Sequence, residues 1–159
     1  MTEPINLREW ERPEDVVHRG RLFTCGRPGR ATFGRQRRSV PDEIIDKWII
    51  GLPTASVLHI VSLLGRKTDG FSEFEYYPFR SVEESGAKPS FQEWLNEKNP
   101  DQRYTVHEIP TVDHGLPPDT VERVAKQVNG LLATNLTVII IDSAGDTRTG
   151  QIAKRLGYK

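Results

Sequence analysis

Near the end of the chain, a carboxylate stands between an apolar run and a loop of small and polar residues. Residues 138–157 read VIIIDSAGDTRTGQIAKRLG, and the apolar run ends at Asp142. The six backbone N–H groups of residues 143–148 can curl towards one point, where a following helix would add the positive end of its dipole. Small side chains let a ligand approach this backbone closely, and the Arg148 guanidinium suits a pair of phosphate oxygens. This order of strand, tight loop and helix is typical of a site for a tetrahedral dianion.

The loop that follows the carboxylate supplies the candidate ligand-binding residues. We call residues 142–149 the anion loop. Its expected phosphate-binding members are Ser143, Ala144, Gly145, Asp146, Thr147, Arg148 and Thr149. Thr149 is expected to cap the following helix and to hydrogen-bond whatever lies at the base of the loop.

The anion loop resembles the active-site loop of the cysteine-dependent protein tyrosine and dual-specificity phosphatases. That loop reads HCxAGxxR[ST]G, and this chain matches it at Ala144, Gly145, Arg148, Thr149 and Gly150. Five residues separate Asp142 from Arg148, which is the family's spacing between its cysteine and its arginine. The resemblance covers roughly residues 20–157 and implies a dual-specificity-phosphatase-like fold.

The resemblance also implies catalytic roles for three positions. Position 142 is where the family has its cysteine nucleophile, and Arg148 would be the phosphate clamp. Asp113 lies 29 residues before Asp142, where the family carries a general acid on a mobile loop. In the family the thiolate attacks phosphorus and the acid protonates the leaving oxygen. No metal ion and no organic cofactor is implied.

The chain departs from the family at the nucleophile itself. Asp142 replaces the cysteine, and Ile141 replaces the histidine before it. Aspartyl-phosphate enzymes use a second carboxylate two residues on, a place that Ala144 takes here. A carboxylate about 4 Å from a bound anion costs roughly 4 kcal/mol at an effective dielectric near 20, which lowers affinity about a thousandfold. We therefore predict that Asp142 itself occupies the loop and accepts bonds from its backbone N–H groups and from Arg148.

These departures favour a non-catalytic function, namely a pseudophosphatase that binds a phosphoprotein, another phosphorylated ligand or an acidic partner. The alternative is a protein tyrosine or dual-specificity phosphatase inactivated by engineered replacement of its cysteine. Ile141 favours natural loss, because a single designed change would leave the family's histidine in place. Coincidental resemblance is the third explanation.

A second candidate site is a basic segment in the first quarter of the chain. Residues 19–38 contain seven arginines and no Asp or Glu. Five of them form an expected basic patch, namely Arg27, Arg30, Arg35, Arg37 and Arg38. Such segments bind phosphates of RNA or phosphoinositides through charge. A solvated loop, or a partner for the acidic stretch at residues 69–84, is an equal alternative.

Composition is that of an ordinary globular domain in a reducing compartment. The 159 residues include 22 basic and 22 acidic side chains, so the net charge is near zero. The single cysteine, Cys25, cannot form an internal disulfide, and no paired Cys/His spacing indicates zinc. There is no run of about 20 apolar residues for a membrane span and no signal peptide. We expect a cytoplasmic protein with a polar lead-in at 1–18 and a phosphatase-like domain at 19–159.

Strand and helix patterns alternate along the chain. The patterns predict strands at 21–24, 55–64, 103–111 and 136–141, and helices at 39–51, 90–99, 118–135 and from 149 onward. The segment at 25–38 is expected to be a loop, and Trp10, Trp48 and Trp94 are expected in the core. This alternation predicts an α/β fold with a central mixed, mainly parallel sheet flanked by helices.

Overall fold

The computed structural model describes residues 4–14, 19–29, 42–64, 95–97, 99, 102–111, 115–142 and 144–159. Within these residues the strands are β1 (Arg8–Trp10), β2 (Leu22–Gly26), β3 (Leu58–Ser62), β4 (Tyr104–Glu108) and β5 (Thr137–Asp142). The helices are α1 (Asp42–Ile50), α2 (Pro118–Ala133) and α3 (Thr147–Arg155). Residues 95–97 are also helical, inside the helix predicted at 90–99.

The described strands form one mixed sheet in the order β1-β2-β5-β3-β4. β1 runs antiparallel to β2, and the other neighbouring pairs are parallel. The register sets Asp142 opposite Gly26 of β2, and Ile141 opposite Ser62 of β3. The predicted α/β class with a mainly parallel sheet is therefore confirmed.

One face of the sheet packs against α1. Ile45 and Trp48 are fully buried there with Ile60 and Ile139, and Ile44 and Ile49 pack at the edge. The Trp48 indole donates to the Gly26 carbonyl at 2.9 Å, which ties α1 to the end of β2. The apolar spacing that predicts this helix is confirmed from residue 42 to residue 50, while Ser39 and Pro41 lie outside the described residues.

The opposite face packs against α2 and α3. Val124, Val128 and Leu132 recur along α2 at intervals of four, and all three are fully buried. Val121 and Leu131 pack against the same cluster, as the amphipathic pattern predicts. Since β5 is covered on both faces, its residues 138–142 are buried without alternation.

The elements differ from the predictions mainly at their ends. β2 continues through Cys25 and Gly26, which were expected in a loop, because both extend the parallel ladder to β5. β3 is shorter than the predicted 55–64 and β4 is shorter than 103–111. The sheet also extends into the predicted lead-in, where β1 pairs with β2 and Trp10 is buried. Trp94 and the polar stretch at 65–89 lie outside the described residues.

Candidate functional site

The candidate site lies where the central strand of the sheet ends. β5 is flanked by β2 and β3, and all three point their carboxyl ends to the same edge. In open α/β sheets ligands bind outside this edge, because the strands stop there and loops take over. Asp142 is the last residue of β5, so the fold itself brings its carboxylate to the classical position for a site.

Asp142 fills its own loop. Its Oδ1 accepts a hydrogen bond from the Gly145 N–H, and its Oδ2 accepts one from the Thr149 N–H at 3.0 Å. The residue is only 2% exposed, so both bonds lie in a site from which water is largely excluded. The prediction that Asp142 accepts bonds from backbone N–H groups of the loop is therefore confirmed.

The same carboxylate caps the helix that follows. α3 begins at Thr147 with Asp146 as its N-cap, and the Asp146 side chain makes no cap hydrogen bond. Thr149 is the third helical residue, whose N–H is one of those that a helix leaves unpaired. Asp142, at the end of the preceding strand, accepts a hydrogen bond from this N–H and therefore acts as the capping side chain. The expectation that Thr149 is the cap is wrong, because the helix starts two residues earlier.

The loop packs tightly against the end of β2. Gly145 has φ +76°, and a Cβ on it would lie within 3.0 Å of the backbone of Cys25 and Gly26. On the outer side, the Asn6 side chain donates to the Ala144 carbonyl at 2.7 Å. Only glycine meets both the conformation and the close approach at position 145. The loop is therefore closely packed against β2 at Gly145.

Arg148 is buried and connects the loop to two neighbouring strands. Its Nη1 donates to the Thr111 hydroxyl at 3.1 Å and to the Leu63 carbonyl at 3.3 Å. The Thr111 hydroxyl in turn donates to the Leu63 carbonyl at 2.7 Å. Arg148 thus lies over the carboxyl ends of β3 and β4. Sequence reasoning missed Thr111 and Leu63. Leu63 contributes only a backbone carbonyl, which carries no residue-type signal, and Thr111 contributes a single hydroxyl from a distant part of the chain.

Leu116, three residues beyond the expected general acid, is held to α3. Asp113 itself lies outside the described residues, as does Ser143 of the anion loop. Beyond Asp113, the Gln151 side chain accepts from the Leu116 N–H at 2.8 Å and donates to the Leu116 carbonyl at 3.3 Å. This two-point contact fixes the chain just before α2 against the helix that follows the anion loop. Gln151 was also missed, since one glutamine in a helix has no distinguishing pattern.

The remaining expected site residues differ in exposure. Asp146 and Thr147 are exposed, whereas Arg27, expected in a basic patch, is only 2% exposed at the end of β2. The other members of that patch, Arg30, Arg35, Arg37 and Arg38, lie outside the described residues. Arg27 therefore belongs to the interior, next to the strand end that the anion loop covers.

Two further arginines of the basic segment have structural contacts. Arg19 donates to the Leu156 carbonyl at 2.7 Å. Arg21 forms a two-bond ion pair with Glu9 across β1 and β2, at 3.0 and 2.9 Å. The hydrogen bond from Arg21 lowers the pKa of the Glu9 carboxyl below its ordinary value. These arginines thus help to join the ends of the chain to the sheet.

A histidine pair that the sequence pattern does not single out lies under α2. His59 Nδ1 and His107 Nε2 are 2.9 Å apart on the neighbouring strands β3 and β4, and the rings stack. Burial lowers the pKa of both histidines, and the positive charge that His59 can carry lowers that of His107 further. Among the described residues no group of three or more His, Cys, Asp or Glu side chains could hold a metal ion.

Comparisons with known proteins return no relatives. No protein-family model matches the chain, and neither a curated protein nor a solved structure matches it significantly. In the described part of the chain, no helix has the length and apolar character needed to cross a lipid bilayer. The assignment of function therefore depends on the geometry of the site.

Proposed function

We propose that this chain is a catalytically inactive, cytoplasmic pseudophosphatase with a dual-specificity-phosphatase-like fold, and that it acts by binding a partner. The observation that carries the proposal is the Asp142 carboxylate inside the anion loop, bonded to the N–H groups of Gly145 and Thr149. Three features are consistent with that fold: the mixed sheet, the loop after its central strand, and the helix that starts with Thr147 and Arg148.

The side chains at the site argue against turnover. A phosphatase of this class needs a thiolate at position 142, and the only cysteine of the chain, Cys25, is buried in β2. The Asp142 oxygens accept backbone bonds and are shielded from solvent, so they are poorly placed to attack phosphorus. Ala144 provides no second carboxylate for a metal-assisted aspartyl-phosphate route.

The filled loop also argues against phosphate binding at this position. A ligand phosphate would have to displace Asp142 or share its N–H donors. Two like charges about 4 Å apart repel strongly in a buried site. A phosphorylated or acidic partner is therefore expected to bind elsewhere on the surface.

The experiment is hydrolysis of p-nitrophenyl phosphate by the parent protein, by Asp142→Cys and by Asp142→Ser. We expect no turnover from the parent or from the serine control. The serine side chain is similar in size to cysteine, but its hydroxyl is a much weaker nucleophile. We expect Asp142→Cys to gain turnover that a further Asp113→Asn change reduces, because the proposed chemistry needs a thiolate at position 142 and a general acid at position 113.

Two outcomes would contradict the proposal. Turnover by the parent that Asp142→Asn abolishes would make the protein an enzyme. A folded Asp142→Cys variant without activity would contradict the proposal that the site is a phosphatase-like site that lacks only its nucleophile. The alternative of an enzyme inactivated by engineering gains weight only if Asp142→Cys turns over at the rate of efficient enzymes, with kcat/KM of about 10⁴ M⁻¹s⁻¹ or more.

A further inference from the structure

An open cleft in the described part of the molecule lies between α2 and α3. Its volume is about 630 Å³, and we call it the α2–α3 groove. It is lined by Arg19, Glu122, Arg123, Ala125, Lys126, Asn129, Arg155 and Leu156. The groove lies outside the anion loop, since none of these residues belongs to residues 142–149.

Positive charge dominates the groove. Four of its lining side chains are cationic and one, Glu122, is a carboxylate. Glu122 pairs with Arg155, with 2.9 Å between Oε2 and Nη2. Arg123 and Lys126 make no ion pair within the described residues, and both are exposed. A concave surface lined mainly by one sign of charge concentrates the field and attracts ligands of the opposite sign.

A buried acceptor on the groove wall narrows the kind of ligand. Asn129 Oδ1 is buried and has no hydrogen-bond partner among the described residues. Buried polar atoms in folded proteins nearly always have a partner, so this atom can accept a hydrogen bond from an N–H or an O–H group. Phosphate groups and carboxylates offer no N–H, whereas a peptide backbone supplies one at nearly every residue.

The composition of the groove separates the classes of macromolecule that carry negative charge. Among the described lining residues no aromatic ring is available to stack on a nucleobase, as aromatic side chains commonly do at single-stranded nucleic acid sites. The apolar lining residues are Ala125 and Leu156, both buried, so the groove has no exposed apolar wedge for a membrane surface. A peptide with acidic side chains fits both the cations and the unpaired acceptor.

We propose that the α2–α3 groove binds an acidic peptide segment of a partner protein. Carboxylates of the peptide pair with Arg123 and Lys126, and one of its backbone N–H groups donates to Asn129 Oδ1 when that side chain turns into the groove. This inference rests on the proposed non-catalytic function, because it names the partner class and places it away from the anion loop.

The experiment measures fluorescence anisotropy of a labelled Glu-rich peptide with the whole 159-residue chain, against a Gln-rich peptide of equal length. The groove variant is Arg123→Glu with Lys126→Glu. The matched control, Arg8→Glu with Lys47→Glu, changes the same net charge at exposed positions on β1 and α1. We expect about a tenfold or larger loss of affinity in the groove variant and at most about a twofold loss in the control.

Two single variants test the details of the contact. Glu122→Gln removes the one carboxylate of the groove and is expected to tighten binding severalfold. Asn129→Leu leaves the charge unchanged and is expected to weaken binding by about threefold to tenfold, which a purely electrostatic attraction would not do. Binding is also expected to weaken as salt rises towards physiological ionic strength, because exposed charges are screened.

Several results would overturn the proposal. These are absence of acidic-peptide binding at low salt, equal loss in the groove and control variants, or equal affinity for the Gln-rich peptide. Groove-dependent binding of single-stranded RNA or of anionic vesicles in place of the peptide would also replace it. Each of these results leaves the turnover of Asp142→Cys unaffected, so the two proposals fail separately.

Discussion

The anion loop and the α2–α3 groove solve the same electrostatic problem in opposite ways. Each gathers positive charge at one place, the loop with backbone N–H groups and the groove with exposed side chains. In the loop the chain's own Asp142 neutralises this charge, and the site is buried. In the groove Glu122 offsets one of four cations, and Arg123 and Lys126 face solvent.

The difference teaches which changes affect folding and which affect binding. A buried charge or donor that loses its partner is costly, so substitutions in the anion loop should lower the free energy of unfolding. Exposed charges are hydrated whether or not they are paired, so substitutions in the groove should leave stability nearly unchanged. The groove instead keeps its charge available to a ligand.

The largest expected effect comes from a methyl group at the packed end of the loop. Gly145→Ala places a side chain at φ +76° and against the backbone of Cys25 and Gly26, so we expect a loss of about 3 kcal/mol or more. The measurement is the free energy of unfolding from urea titration. A variant within about 1 kcal/mol of the parent would contradict the close packing described for the loop.

The matched control for that substitution is a glycine in the helix that borders the groove. Gly130 lies inside α2, and a Cβ there would meet nothing within 4 Å. Gly130→Ala is expected to raise stability by about 0.5–1 kcal/mol, because alanine favours the helix. Opposite signs for the same chemical change would sharpen the contrast between the two regions.

The second effect concerns the carboxylate in the loop. Asp142→Ala leaves the Gly145 and Thr149 N–H groups without their acceptor, and we expect a loss of about 2 kcal/mol in the free energy of unfolding. Millimolar inorganic phosphate should restore part of this loss, since the vacated donors can then bind an anion. The parent should show no such response to phosphate.

Asp146→Ala serves as the control for the carboxylate. Asp146 is exposed and its side chain makes no cap hydrogen bond, so we expect a change within about 0.5 kcal/mol. If Asp146→Ala destabilised the protein as much as Asp142→Ala, the capping role would belong to the loop as a whole and not to the buried carboxylate.

The smallest expected effect is a pH dependence of the free energy of unfolding that arises from His59 and His107, outside both the anion loop and the α2–α3 groove. Burial holds the pKa of His59 and His107 below the ordinary 6.5, so the unfolded chain binds protons more readily than the folded one. Stability should therefore be complete above pH 6.5 and fall as the pH drops from there through the lowered pKa values. Thermal unfolding across this range is the measurement. His107→Gln should flatten the slope, and an unchanged slope would assign it to other groups.

Element positions were largely predictable because apolar periodicity reports burial. The spacing of Val124, Val128 and Leu132 identifies α2, and the unbroken run before Asp142 identifies a strand covered on both faces. The ends were less predictable, since β2 gains Cys25 and Gly26 only by pairing with β5. Helix α3 begins before Thr149 because Asp142, on another element, caps it.

The amino-acid sequence alone predicted the class of site from small residues, a carboxylate and an arginine in a loop between a strand and a helix. It also indicated that a carboxylate in such a loop would take the place of its ligand. Tertiary structure decided that Arg148 reaches Thr111 and that α2 and α3 assemble a basic groove from residues on both helices. The reason is physical: local spacing sets which groups share an element, whereas contacts between elements depend on how the sheet and helices pack.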